Sequence, residues 1–252
     1  MARYFLEVKY NGLAFHGSQV QGDTPTVQLA INTAMGTLLR ENITTFGASR
    51  TDEGVHALCN YYHFDVNEVL TGNFVYKMNA ILPPTISISR LLIASNPELN
   101  SRFAALSRRY RYRIHHHKDP FKYHRSLYYP FKIDRDALHK TAAILLEYDN
   151  FESFSKRKSQ TKTYICKLSD SHWEENGDEL HYVVNGNRFL RGMVRGLVGT
   201  QLQVARGKIS IVGFRKIIEA RDCTLAHFSV PGHGLYLEHI EYAEGGLTEV
   251  RD

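Results

Sequence analysis

The stretch LSRRYRYRIHHH, residues 106–117, carries the clearest strand pattern in the chain. Apolar or aromatic residues alternate there with arginines, with Tyr110, Tyr112 and Ile114 on one side and Arg109, Arg111 and Arg113 on the other. A period of two predicts a half-buried β-strand with one basic face. The residues before this stretch contain the strand and helix signals of one α+β unit, and the signals of a second unit begin with this stretch. The sequence therefore predicts two domains, residues 1–105 and 106–252.

The signals before residue 105 predict the first domain. RYFLEVKYNG (3–12) alternates like a half-buried strand, and Thr24-Pro25 predicts a helix start, because a hydroxyl caps a helix and proline suits its first position. Apolar residues then recur with helical spacing as far as Leu39. Further signals predict a strand, a longer strand, a helix and a strand at 43–46, 55–66, 73–82 and 86–95. This order matches a split βαβ unit.

The signals after residue 105 repeat the α+β pattern. They predict the strand quoted above, a helix over 134–147, a hairpin around Asn176-Gly177-Asp178, helices over 188–199 and 209–221, and a closing strand over 234–242. We therefore predict an α+β fold made of two split-βαβ, ferredoxin-like or RRM-like domains.

Composition narrows the class of protein. The chain has 252 residues, of which 43% are hydrophobic, and no apolar run reaches the ~20 residues of a membrane span. Its first residues, MARYFLEVKY, do not read as a signal peptide, so we expect a soluble, cytoplasmic protein. The three cysteines are far apart in sequence, which indicates neither a zinc cluster nor a disulfide framework.

The positively charged residues are concentrated in a few segments of the sequence. The net charge is +5, and Arg188, Arg191 and Arg195 have the spacing of one helical stripe. The loop SKRKSQTK adds Lys156, Arg157 and Lys158. Basic residues interleaved with 15 tyrosines suit folded RNA, since phosphates attract cations and unstacked bases bind aromatic rings. A solvated basic face is the alternative.

Motifs for other chemistries are missing from the sequence. His115, His116 and His117 would alternate on a strand without an acidic partner at ligand spacing, so we predict no metal site there. The sequence contains no Walker-type phosphate loop and no GxGxxG, which argues against a nucleotide cofactor.

The segment GASRTDEGVHA, residues 47–57, places Arg50, Thr51 and Asp52 side by side between glycines that suit a loop. Turn capping by Asp52 is the simplest reading of the segment alone. However, the segment resembles the signature GAGRTDxGVHA of the tRNA pseudouridine synthase A family. The resemblance covers nearly the whole chain, in family order, through YNGLAFHGSQVQ, NAILP, FAALSRRYRYRI, YDNFESFS, NRFLRGMVRGLVG and VPGHGLYLEHIEY. The sequence departs from the family pattern at Asn11, Ser49 and Glu53. It also has arginines at positions 188 and 191, where the family is usually less basic.

The resemblance implies a fold, an assembly and a reaction. It implies two α+β domains with antiparallel sheets side by side and a basic cleft between them. It also implies a homodimer that holds one tRNA and converts uridine to pseudouridine at positions 38, 39 and 40 of the anticodon stem-loop. No cofactor or metal is expected, because the reaction rearranges one molecule without a redox step.

The resemblance also assigns residues. Asp52 is the expected nucleophile, Arg195 its ion-pair partner, Tyr110 the ring against the target uracil, and Arg50 the residue that fills the space left by the flipped base. The expected RNA contacts are Gln19, Arg109, Arg111, Lys156, Arg157, Lys158, Arg188 and Arg191. Two alternatives stay open: a paralogue acting on another RNA, and a non-catalytic RNA-binding protein on the same scaffold. A metal-dependent hydrolase is disfavoured.

Overall fold

The computed structural model describes residues 1–157 and 161–251, which form a mixed α+β structure. Within these residues the strands are β1 (Ala2–Tyr10), β2 (Phe46–Gly47), β3 (His56–Val66), β4 (Ile86–Ala94), β5 (Ser107–His115), β6 (Leu127–Tyr128), β7 (Leu168–Asn176), β8 (Glu179–Gly186), β9 (Leu235–Glu241) and β10 (Leu247–Glu249). The α-helices there are α1 (Val27–Leu39), α2 (Asn73–Ile81), α3 (Arg135–Leu145), α4 (Met193–Ala205) and α5 (Ile211–Glu219). No helix in the described ranges is long and apolar enough to cross a membrane.

The chain divides into two compact units. Unit 1 comprises Met1–Leu106 and Tyr236–Asp252, and unit 2 comprises Ser107–Leu235. The C-terminal segment, which the sequence analysis assigned to the second domain, therefore belongs with the first. The reason is strand pairing: β9 runs parallel to β3, with His56 opposite Tyr236, and β10 is antiparallel to β4.

The sheet of unit 1 is centred on β1. Its strand order is β10-β4-β1-β3-β9, and the two-residue strand β2 pairs with β3. Both long neighbours of β1 are antiparallel to it. Phe5, Leu6 and Val8 of β1 are fully buried. The sequence predicted β1 from alternation and did not predict β10. Most of β1 is buried on both faces, which alternation does not report.

Helix α1 begins later than the sequence predicts. Its N-cap is Thr26, whose hydroxyl accepts the backbone N–H of Leu29 at 3.2 Å. Pro25 stays outside the helix, and its carbonyl accepts the N–H of His16 at 2.9 Å. The prediction of Thr24 as the cap was wrong because a second hydroxyl, two residues on, occupies the capping position.

Unit 2 contains the sheet β5-β8-β7, with β6 paired to β5. On β5 the tyrosines and Ile114 are buried while the three arginines opposite them are only partly so, which confirms the predicted alternation. The predicted hairpin joins β7 to β8, and Gly177 adopts a φ of +63° in its turn. Helix α3, capped by the Asp134 side chain, packs against β7 and α4.

A buried histidine links several elements of unit 1. His63 on β3 stacks on Phe46, with ring centroids 5.1 Å apart. Its Nδ1 accepts the backbone N–H of Ser101 at 3.3 Å. Desolvation, helped by the nearby Arg3 charge, lowers the pKa of His63 from 6.5 to about 4. The imidazole is therefore neutral in the folded protein near pH 7.

We expect His63 to make stability pH-dependent. As the pH falls from 6.5 towards 4, the unfolded chain binds a proton at His63 before the folded protein does. The free energy of unfolding should then decrease, by up to ~3 kcal/mol from this group. His63→Asn, which keeps an acceptor near Nδ1 but does not titrate, should lose this part of the decrease in urea denaturation. His139→Asn, at an exposed position of α3, is the control; an unchanged pH dependence in His63→Asn would refute the expectation.

Candidate active site

The loop of residues 47–57 is anchored by its threonine. The hydroxyl of Thr51 lies 2.8 Å from that of Tyr10 on β1. The backbone of Thr51 pairs with Ser18, donating its N–H to the Ser18 hydroxyl at 2.8 Å and accepting the Ser18 N–H at 3.0 Å. Thr51 is 8% exposed, whereas Arg50 is exposed and Asp52 is half-buried. Burying Thr51 thus turns the side chains on either side of it towards the surface of unit 1.

A buried amide holds the preceding part of the loop. Asn60 of β3 is fully buried, and its side chain accepts the N–H of Ser49 at 3.2 Å and donates to the Ser49 carbonyl at 3.0 Å. The same amide donates to the Tyr10 hydroxyl at 3.3 Å. Ser49 replaces a glycine of the family signature, and these contacts use its backbone, so the departure leaves the anchoring unchanged.

Two glycines allow the segment after β1 to approach the loop. A Cβ at Gly12 would lie 2.0 Å from the carbonyl oxygen of Val55, a distance at which real atoms overlap. Gly17 has a φ of +91°, and a Cβ there would meet the Thr51 carbonyl at 3.0 Å. Neither position accepts a side chain without displacing the loop backbone.

The turn at Asp52 is closed by its backbone. The Asp52 carbonyl accepts the N–H of Val55 at 3.2 Å, and Gly54 adopts a φ of +74° within the turn. The turn thus has a hydrogen bond that does not involve the carboxylate. The turn therefore does not depend on the Asp52 side chain alone for its closure.

Tyr110 and Arg195 lie in unit 2. Tyr110 on β5 is 7% exposed and contacts Phe189 edge-on, with ring centroids 5.0 Å apart. The Nε of Arg195 on α4 donates to the carbonyl of Val230 at 2.8 Å, which fixes the direction of the guanidinium. The pairing of Asp52 with Arg195 joins residues of different units, and it stays a prediction.

The chain segment after Val230 is itself held in place. The Tyr112 hydroxyl donates to the carbonyl of Pro231 at 2.9 Å. A Cβ at Gly234 would lie 2.7 Å from the Tyr112 ring. Burial raises the pKa of Tyr112 despite the nearby Arg195 charge. A neutral, buried tyrosine thereby supports the segment whose carbonyl orients Arg195.

The predicted arginine stripe does not form. Helix α4 begins at Met193, so Arg188 and Arg191 precede it and only Arg195 lies on it. Gly192 breaks the helical path with a φ of +74°, and a Cβ there would lie 2.9 Å from the Lys156 side chain. The Arg191 carbonyl accepts the N–H of Lys156 at 2.9 Å. The helical spacing of the three arginines predicted the wrong structure for Arg188 and Arg191. Spacing cannot show that Gly192, which lacks a Cβ, leaves room for Lys156 of the basic loop.

The arginines of β5 are partly engaged inside unit 2. Arg111 is ion-paired with Glu174 on β7, and the hydrogen bond and charge of Arg111 hold the pKa of Glu174 below its ordinary value. Its guanidinium also lies 3.1 Å from Nδ1 of His181. Arg109 lies on the same face and is partly buried. A phosphate contact at Arg111 would have to compete with the existing ion pair.

The basic loop contributes to a pocket that the sequence did not predict. Lys156 and Arg157 line a cavity of about 290 Å³ in unit 2, together with Tyr164 and Arg221. Arg221 follows α5 with a φ of +53°, and nothing in the sequence pattern connects it with the loop. Lys158, the third basic residue predicted there, lies outside the described residues.

Gln19 and Arg50 both line a second pocket, which lies in unit 1 and has a volume of about 170 Å³. Phe46 and Phe103 also line it, and both rings are exposed. Gln19 and Arg50 are expected here from the family resemblance, whereas no sequence pattern indicated the two phenylalanines. Their shared pocket is a tertiary feature, since Phe46 is in a strand and Phe103 lies in a turn much later in the chain.

The fold and the clamped aspartate loop agree with the class of RNA-modifying enzymes that the sequence resembles. The family model described as tRNA pseudouridine synthase matches residues 143–243. The tRNA pseudouridine synthase A of Parabacteroides distasonis is 40% identical over 97% of this chain and 97% of its own. That of Bacteroides thetaiotaomicron is 40% identical over 99% and 94%, and that of Bacillus licheniformis 34% identical over 93% and 97%. The chain belongs to the tRNA pseudouridine synthase A family.

The Tyr10–Thr51 contact can be tested as a pair. Thr51→Val and Tyr10→Phe each remove one hydroxyl of the same hydrogen bond. Thr51→Val should lower the free energy of unfolding by about 1 kcal/mol, and Tyr10→Phe by more, because it also removes the acceptor of the Asn60 amide. The double variant should cost clearly less than the sum of the two, because both changes remove the same bond. Urea denaturation measures all three, with Thr51→Ser as the control that keeps the hydroxyl. Strict additivity would show that the two groups do not interact.

Proposed function

We propose that this protein isomerises uridine to pseudouridine at positions 38, 39 and 40 of the tRNA anticodon stem-loop. Membership of the tRNA pseudouridine synthase A family supports the reaction and the substrate. The observation that carries the assignment to this chain is the clamped loop, in which a buried Thr51 separates an exposed Arg50 from a half-buried Asp52.

Asp52 acts as the catalytic carboxylate in this proposal. Isomerisation breaks the N–C glycosidic bond and forms a C–C bond between the same two fragments, so it needs a nucleophile that adds reversibly but no redox partner. A carboxylate meets this need. Attack on the sugar C1′, attack on the base C6 and proton abstraction from the sugar are the three available roles, and each uses the same Asp52 oxygens.

Three further residues support Asp52. Arg195 pairs with the carboxylate, which keeps it ionised and directs its oxygens. Tyr110 stacks on the target uracil, and its hydroxyl relays the proton that C5 loses. Arg50 fills the space left when the uridine leaves the helical stack, a step that costs a few kcal/mol. The orientation of Arg195 by the Val230 carbonyl supports its positioning role.

The family resemblance also supports an assembly. We propose that the two units are split-βαβ domains, with unit 1 carrying Asp52 and unit 2 carrying Tyr110 and Arg195. In this arrangement the largely antiparallel sheets lie side by side around a basic cleft, and a cytoplasmic homodimer holds one tRNA.

The departures from the family signature favour no second function. Asn11 caps the short turn that follows β1, accepting the N–H of Leu13 at 3.2 Å. Glu53 is exposed and lies 3.6 Å from Nδ1 of His16. Both contacts are local to the surface of unit 1. A paralogue that modifies another RNA would keep the same catalytic set, so mapping pseudouridine in RNA from cells lacking the protein separates the two.

Asp52→Asn tests the catalytic assignment. The amide is nearly isosteric with the carboxylate, and the turn keeps its backbone hydrogen bond, so the melting temperature should change little. The substitution removes the nucleophilic oxygens and the charge, so pseudouridine formation should fall to background. Release of tritium from tRNA labelled at uracil C5 measures the reaction.

Glu53→Gln is the matched control for Asp52→Asn, since it removes one negative charge from the next residue of the same loop. We expect it to retain activity. A non-catalytic RNA-binding protein would release no tritium in any form, parent included. Substantial release by Asp52→Asn would remove Asp52 from the catalytic role, and a lowered melting temperature with full activity would restore the turn-capping explanation.

The basic loop should contribute to RNA affinity by neutralising phosphates. Lys156→Gln with Arg157→Gln should flatten the log–log dependence of tRNA affinity on salt by about 0.9 for each phosphate that is no longer neutralised, and Lys158→Gln should add a similar amount. Lys77→Gln, at an exposed position of α2, should leave the slope unchanged. Filter binding across a salt series measures the slopes, and equal slopes in parent and loop variant would exclude the loop from the RNA-binding surface.

A further inference from the structure

The pocket of unit 1 has two exposed aromatic walls. It has a volume of about 170 Å³ and includes Ser49 and Arg50 of the Asp52 loop. Solvent reaches 54% of Phe46 and 80% of Phe103, both of which line it. Large apolar side chains exposed at one concave site indicate a binding surface. Aromatic rings in a basic setting are the usual platform for unstacked nucleobases.

The Phe46 wall is held in place by the protein. The buried Ser101 hydroxyl donates to the Phe46 carbonyl at 2.8 Å, and the Ser101 carbonyl accepts the Tyr242 hydroxyl at 2.7 Å. The other side of the Phe46 ring is supported by His63, at 5.1 Å between centroids. Phe103 follows Ser101 by two residues in the same tight turn. A ring fixed before binding, like that of Phe46, loses little conformational freedom when a ligand stacks on it.

The pocket also offers polar groups for the edge of a base. The side-chain oxygen of Asn100 accepts the N–H groups of Arg102 and Phe103 at 3.0 and 3.3 Å. Within the described residues, the amide nitrogen of Asn100 and the side-chain amide of Gln19 make no hydrogen bond to the protein. Amide groups of this kind pair with donors and acceptors on base edges.

The charge of the pocket favours an RNA ligand. Arg50 and Arg102 both line it, and the Arg102 guanidinium lies 5.6 Å from the centre of the Phe103 ring. The cavity is smaller than the roughly 300–1,000 Å³ of sites for complete small molecules. Its size therefore suits a single base whose phosphates remain outside, near the arginines.

We propose that this pocket binds one unstacked nucleobase of the RNA substrate, other than the uridine that reacts. Asp52, the residue proposed to meet the reacting uridine, does not line this pocket. The subsite would fix the position of the RNA along the protein and so contribute to the choice of uridine. This inference rests on the proposed function for the identity of the ligand as RNA.

Abasic substitution tests the subsite directly. Anticodon stem-loop RNAs, each lacking one base near the target uridine, would be titrated against the parent and Phe103→Ala at fixed salt. For the parent, removal of the seated base should weaken binding by about 5- to 150-fold, the range of one base–aromatic contact. For Phe103→Ala, removal of that same base should cost almost nothing, while the other positions should behave as in the parent.

Two variants complete the design. Phe103→Tyr keeps the ring and should preserve the parent pattern, whereas Tyr76→Ala removes a similarly exposed ring from α2 and should not alter it. Equal abasic costs in the parent and Phe103→Ala at every position would overturn the subsite. A change in oligomeric state of Phe103→Ala without any base-specific coupling would also overturn it, because the ring would then be a subunit contact.

Tritium release from the same RNAs distinguishes the two proposals. A parent that forms pseudouridine but shows no coupling at Phe103 would refute the subsite and leave the proposed function intact. A parent that shows coupling but releases no tritium would refute the proposed reaction and leave the subsite intact.

Discussion

The active-site loop depends on one buried hydroxyl pair, that of Tyr10 and Thr51. Tyr10 is the last residue of the central strand of unit 1, so the contact ties the loop to a strand that is largely buried. Asn60 joins the same hydroxyl from the next strand. A buried polar group without a partner costs about 1–3 kcal/mol, so the three side chains specify one loop conformation. Because the side chain of Thr51 is buried, the side chains of its neighbours Arg50 and Asp52 are directed towards the surface.

Net charge is a weak guide to which cations can meet RNA. The chain carries 31 Lys and Arg residues against 26 Asp and Glu. Several arginines form ion pairs within their own unit: Arg3 with Asp65, Arg111 with Glu174, and Arg215 in a two-point contact with Glu147 at 2.6 and 2.8 Å. Which cations remain available to an anionic ligand depends on such pairings, which composition does not report.

Stability and recognition share the same contacts in unit 1. His63 stays neutral because burial disfavours its charged form, and a neutral imidazole can accept the Ser101 N–H while supporting the Phe46 ring. The Ser101 hydroxyl donates to the Phe46 carbonyl. A change at His63 would therefore affect both the fold and the shape of the pocket that Phe46 lines.

The sequence by itself determined the α+β class, the alternation of β5, the hairpin at Gly177 and the family, because each is encoded by local spacing or by a contiguous motif. It did not determine that β9 and β10 belong to unit 1, since alternation reports a buried face but not the partner strand. It misplaced Arg188 and Arg191 on a helix, because Gly192 and Lys156 meet only in the folded chain. It also missed Phe103 as a pocket wall. Strand pairing, the close approach of two segments and the exposure of a side chain depend on contacts between residues that are distant in sequence. Only the tertiary structure decided these features.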